Sequence, residues 1–80
     1  MLVDVKYFGK LIDITRLSDE LMFFEDNTTV ATMEKSVTGK YEGLKTEAYA
    51  LFLNNKLVSD KLTLLKEKDE ISFMPPFAGG

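Results

Sequence analysis

Two residue types that carry much of protein side-chain chemistry are missing from this chain: it contains no cysteine and no histidine. Without cysteine there is no thiolate nucleophile, no thiolate metal site and no disulfide framework. Without histidine, the commonest metal ligand and the usual base for an activated serine are gone. The segment with the most distinctive chemistry is the run Pro75-Pro76-Phe77-Ala78-Gly79-Gly80. The prolines cannot donate to a sheet ladder and hold the chain extended, while the two glycines carry no side chains. Such a tail could reach about 20 Å at roughly 3.3 Å per residue, enough to thread a narrow channel and present a terminal carboxylate inside another protein. A free carboxylate acylates poorly because its charge is delocalised and oxide is a hopeless leaving group. An acyl-adenylate would supply a good leaving group, and a sulfur nucleophile could then leave a thiocarboxylate on Gly80. The plain alternative is a frayed end; the final strand, the diproline and the glycine pair together favour the chemical reading.

A tail of this kind needs a platform, and the pattern upstream supplies one. Val3, Val5 and Tyr7 fall on one face of an opening strand, with Leu2, Asp4, Lys6 and Phe8 on the other. Gly9 and Lys10 read as a turn, and 11–16 as a connection into a second strand over 20–25, which suggests a hairpin. The period then changes: Val30, Met33, Val37, Tyr41 and Leu44 form the stripe of an amphipathic helix. Thr29 is its expected N-cap, and Ser36, Thr38 and Gly39 predict fraying or an end between Gly39 and Gly43. A third strand over 48–53 closes at Asn54-Asn55, a pair that tolerates left-handed backbone. Leu57 and Val58 make a short strand, and 70–74 a last one with Ile71 and Phe73 toward the core. The order predicts an α+β domain, 1–74, with one helix on one face of a mixed sheet of about five strands, followed by a tail, 75–80. Phe8, Leu57 and Met74 then fall on the uncovered face as candidates for partner contact.

Composition bounds the remaining possibilities. Eighty residues make one small domain, burying about 60% of what its unfolded chain exposes. Ten basic residues against thirteen acidic ones leave a net charge of −3, which argues against nucleic acid as a partner. The opening Met1-Leu2-Val3-Asp4 is broken by charge and predicts no signal peptide, and no apolar run approaches a membrane span. A cytoplasmic protein is expected. Asn27-Thr28-Thr29 fits a glycosylation acceptor but reads better as a turn.

The run from Asp69 through Glu70, Ile71, Ser72, Phe73 and Met74 to Pro75-Pro76-Phe77-Ala78-Gly79-Gly80 resembles the ending of the molybdopterin synthase small subunit (MoaD), a ubiquitin-like β-grasp sulfur carrier. The likeness extends to Tyr7-Phe8, Thr29-Val30 and Leu53-Asn54. The related thiamin carrier (ThiS) also ends in Gly-Gly but generally lacks the diproline, which favours the molybdenum-cofactor pathway. The resemblance implies a ubiquitin-activating-like enzyme that uses ATP to adenylate Gly80, then sulfur delivery to form the thiocarboxylate. It implies docking on the large synthase subunit, in a heterotetramer of two small and two large subunits, where sulfur passes to a cyclic pyranopterin monophosphate to build the dithiolene of molybdopterin. Gly80 would carry the sulfur and Gly79 would let the tail through. Phe8, Leu57 and Met74 would face the partner, and Pro75, Pro76 and Phe77 would set the tail's exit. Catalytic side chains would belong to the large subunit, and this chain would bind no cofactor itself.

Lys68 stands where the family usually has glycine, and Met74 replaces a more usual aromatic residue. Two other readings compete with the molybdopterin one. In the first, the thiocarboxylate serves thiamin synthesis, tRNA thiolation or protein conjugation. In the second, the chain is a β-grasp interaction module whose carboxylate is never activated.

Overall fold

The computed structural model describes residues 1–76. Its elements are β1 (Leu2–Tyr7), α1 (Leu11–Thr15), β2 (Asp19–Phe23), α2 (Val30–Lys40), a 3-10 helix (Glu42–Thr46), β3 (Ala50–Leu53), β4 (Lys56–Leu57) and β5 (Glu70–Met74). The strands form one mixed sheet in the order β2-β1-β5-β3-β4. β1 pairs antiparallel with β2 and parallel with β5, and β3 pairs antiparallel with β5 and β4. This is the ubiquitin-like β-grasp arrangement, with the helices packed on one face of the sheet.

The alternation in β1 places Val3, Val5 and Tyr7 beneath the helix layer, where they meet Ile71 and Phe73 of β5 and the α2 stripe Val30, Met33 and Val37. Leu11 of α1, Leu44 of the 3-10 helix, Leu51 of β3 and the loop residues Phe24 and Leu65 complete the core. The ring of Phe73 lies between Tyr7 and Tyr49, with centroids 5.7 and 5.0 Å away. Such aromatic contacts add specific geometry to the burial of apolar area.

Polar side chains fasten α2 at two points, one on the sheet and one on the segments that flank it. Glu20 of β2 accepts the hydroxyls of Tyr7 (2.8 Å) and Tyr41 (2.6 Å) on Oε2 and pairs with Lys40 at 2.7 Å on Oε1. Glu34 of α2 accepts the Tyr49 hydroxyl at 2.6 Å and pairs with Lys61 at 2.8 Å. Burial alone would raise the Glu20 pKa, but the hydrogen bonds from Lys40, Tyr41 and Tyr7 outweigh it and hold the carboxyl below its ordinary range. The three tyrosines respond oppositely: burial, then hydrogen bonding to a carboxylate, raises Tyr41 and pushes Tyr7 and Tyr49 far up.

Several local expectations meet a different outcome. Residues 11–16 are more than a connection: Leu11–Thr15 form a short helix that closes on Arg16 at φ 64°. The helical turn lets Leu11 and Thr15, four residues apart, bury together. The second strand is Asp19–Phe23 rather than 20–25, the third begins at Ala50 rather than 48, and the short strand is Lys56–Leu57 rather than 57–58. Thr29 caps α2 as expected, accepting the Thr32 amide at 3.1 Å. The helix stops at Lys40 inside the anticipated window, and its stripe continues to Leu44 through the 3-10 helix. Asn54 and Asn55 take φ of 49° and 69°, as a tight hairpin between β3 and β4 requires. Asn27, at φ 69°, lies in the turn before α2.

Candidate functional site

The face of the sheet opposite the helices carries the predicted contact residues. β5 lies at the centre, so side chains of three strands converge there. Ser72 of β5 is flanked by Lys6 of β1 and Phe52 of β3, and Phe52 pairs in turn with Leu57 of β4. Met74, one pleat further along, lies across from Ala50. Phe8 follows β1 directly and is held to β5 by its amide, which donates to the Phe73 carbonyl at 3.2 Å.

The result is a continuous apolar surface. Phe8 (39% exposed) and Leu57 (63% exposed) stand open, while Phe52 and Met74 are half-buried. A concavity of about 610 Å³ is lined by Phe8, Phe52, Met74, Ser72 and the polar Lys6, Glu70 and Asn55. A second cavity, of about 320 Å³, lies at the root of the tail between Ala48, Tyr49, Ala50, Phe52, Met74, Pro75 and Pro76. The sheet thus brings Phe8, Leu57 and Met74 together on one face, and the diproline leaves from its edge. Phe77, Gly79 and Gly80 lie outside the described residues.

Sequence reasoning left Ser72, between the core-facing Ile71 and Phe73, on the uncovered face, and it lies there, buried because a central strand is shielded by both neighbours. It missed Phe52, Ala50 and Ala48. The signal for Phe52 was present in the alternation with the core residue Leu51, but it needs the face of β3 to be known first. It also missed the role of Gly9. This residue has φ +56°, and a Cβ added there would stand 3.0 Å from Cγ of Pro75. Gly9 is therefore the seat on which the root of the tail rests, and its sequence signature is no more than that of a turn.

Electrostatics divides this face. Lys6 and Glu70 pair at 3.2 Å, and the hydrogen bond and charge of Glu70 raise the Lys6 pKa. Next to them, Asp4 is held above its usual range by burial first and by Asp19 second. Its Oδ1 is buried without a hydrogen-bond partner among the described residues. No group of three or more potential metal-ligating side chains occurs among the described residues, and no helix among them is long and apolar enough to cross a membrane. The arrangement presents an apolar face with the root of the tail at its edge.

Comparison with known proteins accords with this geometry. The model of the ThiS family matches residues 5–80. A solved complex of subunits 1 and 2 of the molybdopterin-converting factor from Helicobacter pylori contains a chain 29% identical, with a TM-score of 0.75 and full coverage of both chains. The small archaeal modifier protein 1 from Methanosarcina acetivorans is 28% identical, with a TM-score of 0.78, covering 99% of this chain and 96% of the other. SAMP1 from Haloferax volcanii shares the fold at a TM-score of 0.86 but only 16% identity, with both chains fully covered. A search of curated proteins returns no match.

Proposed function

The chain belongs to the ThiS family, within the sulfur-carrier and ubiquitin-like β-grasp superfamily, and on that premise we propose that it is a carrier whose Gly80 carboxylate is activated and loaded with sulfur. The observation that carries the reading is the convergence of the open apolar face and the root of the tail. A partner that grips Phe8, Phe52, Leu57 and Met74 stands directly beside the exit of Pro75 and Pro76. Docking and presentation of the terminus are then one event. Pro75 and Pro76 direct the tail, Phe77 packs at the partner's entrance, and Gly79 keeps the thread narrow for Gly80.

The chemistry balances simply. A Gly80 carboxylate oxygen attacks the α-phosphorus of ATP on an activating enzyme and releases pyrophosphate. A nucleophile at the sulfide oxidation level then adds to the acyl carbon and expels AMP, which keeps the carboxylate oxygen. The net change is one oxygen replaced by sulfur. ATP is bound by the activating enzyme, and the acid–base groups of the transfer steps belong to the partners.

Two destinations have specific support. The likeness to the Helicobacter pylori converting-factor complex, together with the diproline, supports docking on a large subunit and delivery to a pterin there; a heterotetramer of two small and two large chains is the assembly that the family resemblance implies. The comparable likeness to the Methanosarcina acetivorans modifier supports transfer to another acceptor, including a protein amine. The family match embraces the carrier chemistry common to both, so the carrier reading is the conclusion and the molybdopterin destination is its narrower form.

The test is the intact mass after incubation with ATP, a cognate activating enzyme and a sulfur source. A gain equal to sulfur replacing oxygen, lost on deleting Gly80 without a change in melting, is the expected outcome. No gain with an active activating system would leave the chain an interaction module. With the charged protein in hand, sulfur appearing in a pterin or an amide bond to a protein lysine separates the two destinations.

A further inference from the structure

A second apolar surface lies on the uncovered face, at the opposite edge of the sheet from β4. β2 is an edge strand, and Leu21 and Phe23 on it are 68% and 73% exposed. Leu2 of β1, 44% exposed, lies directly across from Phe23. The charged group Asp4, Lys6 and Glu70 separates these three residues from Phe8 and Met74, so they do not extend the surface already described. A concavity of about 250 Å³ opens among Leu2, Asp4, Leu21, Glu67 and Lys68.

The backbone of this edge is also open. Bonds between Met1 and Phe24 and between Tyr7 and Ser18 set the phase of the β1–β2 ladder. Strict alternation in an antiparallel pair then turns the N–H and C=O groups of Asp19, Leu21 and Phe23 away from β1. Among the described residues, those of β2 with outward side chains are therefore also those with unpaired backbone. An extended segment added here would gain ladder hydrogen bonds and apolar contacts together.

Charge selects the occupant. Asp19 and Glu25 are both exposed and lie at the same spacing from Leu21 and Phe23, one before and one after. A second copy of β2 laid antiparallel and centred on Met22 would set Asp19 against Glu25 twice. Like charges directly opposite are destabilising, and acidic ends of this kind are a usual protection of an edge against self-pairing. A strand with the pattern basic-x-apolar-x-apolar-x-basic instead places a cation opposite each acid and apolar side chains opposite Leu21 and Phe23. The pattern is symmetric, so either strand direction satisfies it.

We propose that the β2 edge, through Leu21, Phe23 and Leu2 between the acids Asp19 and Glu25, is a second docking site that takes an extended basic-and-apolar segment of another protein by strand addition. The surface is separate from the root of the tail at Pro75 and Pro76.

The probe is the blocked peptide Thr-Lys-Thr-Ile-Thr-Val-Thr-Lys-Thr, titrated into the ¹⁵N-labelled full chain. Saturable shifts of the Asp19, Leu21 and Phe23 amides are expected. Replacing both peptide lysines by glutamate is expected to weaken binding about tenfold, from two lost and two repulsive charge pairs. The double variant Leu21→Lys, Phe23→Lys should lose binding while keeping its melting temperature, since both side chains are exposed. Deleting Gly80 should leave binding unchanged, which separates this proposal from the carrier reading. Shifts centred on β4 or the tail-root cavity, equal affinity for the acidic peptide, no saturation, or self-association removed by the double variant would each overturn it.

Discussion

Replacing Gly9 by alanine separates folding from tail presentation. The backbone at Gly9 has φ +56°, and a Cβ there would stand 3.0 Å from Cγ of Pro75. Left-handed backbone costs a residue with a Cβ about 1–2 kcal/mol, which for a domain of this size lowers Tm by about 5–15 °C. The contact with Pro75 is a different quantity. Pro75 is half-buried and lies beyond the last ladder residue, Met74, so it can yield by a few tenths of an ångström. The steric conflict should then appear as a displaced tail rather than as further lost stability. If returning the tail to its working direction costs about 1 kcal/mol, charging of Gly80 slows about fivefold. Thermal melting and the rate of thiocarboxylate formation by intact mass read the two effects separately. Adding Pro75→Ala removes the Cγ contact but not the backbone strain. The double variant should therefore recover charging relative to Gly9→Ala while its Tm stays low. A Gly9→Ala protein with unchanged Tm would refute the strain argument. A double variant charging no faster than Gly9→Ala would refute the seat.

Other perturbations probe the frame. Val37→Asp puts an unpaired charge beneath α2, at a position with no exposed surface, and should cost more than about 3 kcal/mol and unfold the domain; a folded variant of wild-type stability by circular dichroism would refute the helix register. Because the Glu20 pKa is depressed in the folded protein, its stabilisation is complete above the ordinary value of 4.5 and disappears as pH falls through the lower folded value. Glu20→Gln should cost about 1–2 kcal/mol at pH 7 and narrow its deficit on acidification; a pH-independent difference in denaturant midpoints would contradict this. Lys68 lies at φ 68°, so Lys68→Gly should relieve about 1 kcal/mol of strain, less the entropy that glycine gives the unfolded chain. A lower Tm in that variant would mean that the lysine side chain contributes more than its backbone costs.

The left-handed geometry at Lys68 gives a physical account of the glycine expected there from the family resemblance. With lysine in this position, the Lys68 amide donates to the Leu2 carbonyl at 2.8 Å.

Local pattern was sufficient for much of the architecture. Val3, Val5 and Tyr7 alternate at period two, Val30, Met33 and Val37 recur at helical spacing, and Thr29 and the Asn54-Asn55 pair carry their cap and turn chemistry in their own side chains. These features depend on neighbours in the chain, so one sequence suffices to read them. The tail motif is a local pattern too: its diproline and paired glycines lie within a few residues of one another. What lay beyond sequence depends on which strands become neighbours. The parallel pairing of β1 with β5 joins residues more than sixty positions apart, as in Lys6 with Ser72. That pairing buries Ser72, brings Phe8 beside Met74, and sets Pro75 over Gly9. Likewise, Leu21 and Phe23 form a hydrophobic strand pattern that in the middle of a sheet would be core. Only the strand order, which leaves β2 at the edge with its outer face uncovered, turns them into surface. Periodicity tells which residues share a face, and tertiary packing decides whether that face meets the core, water or a partner.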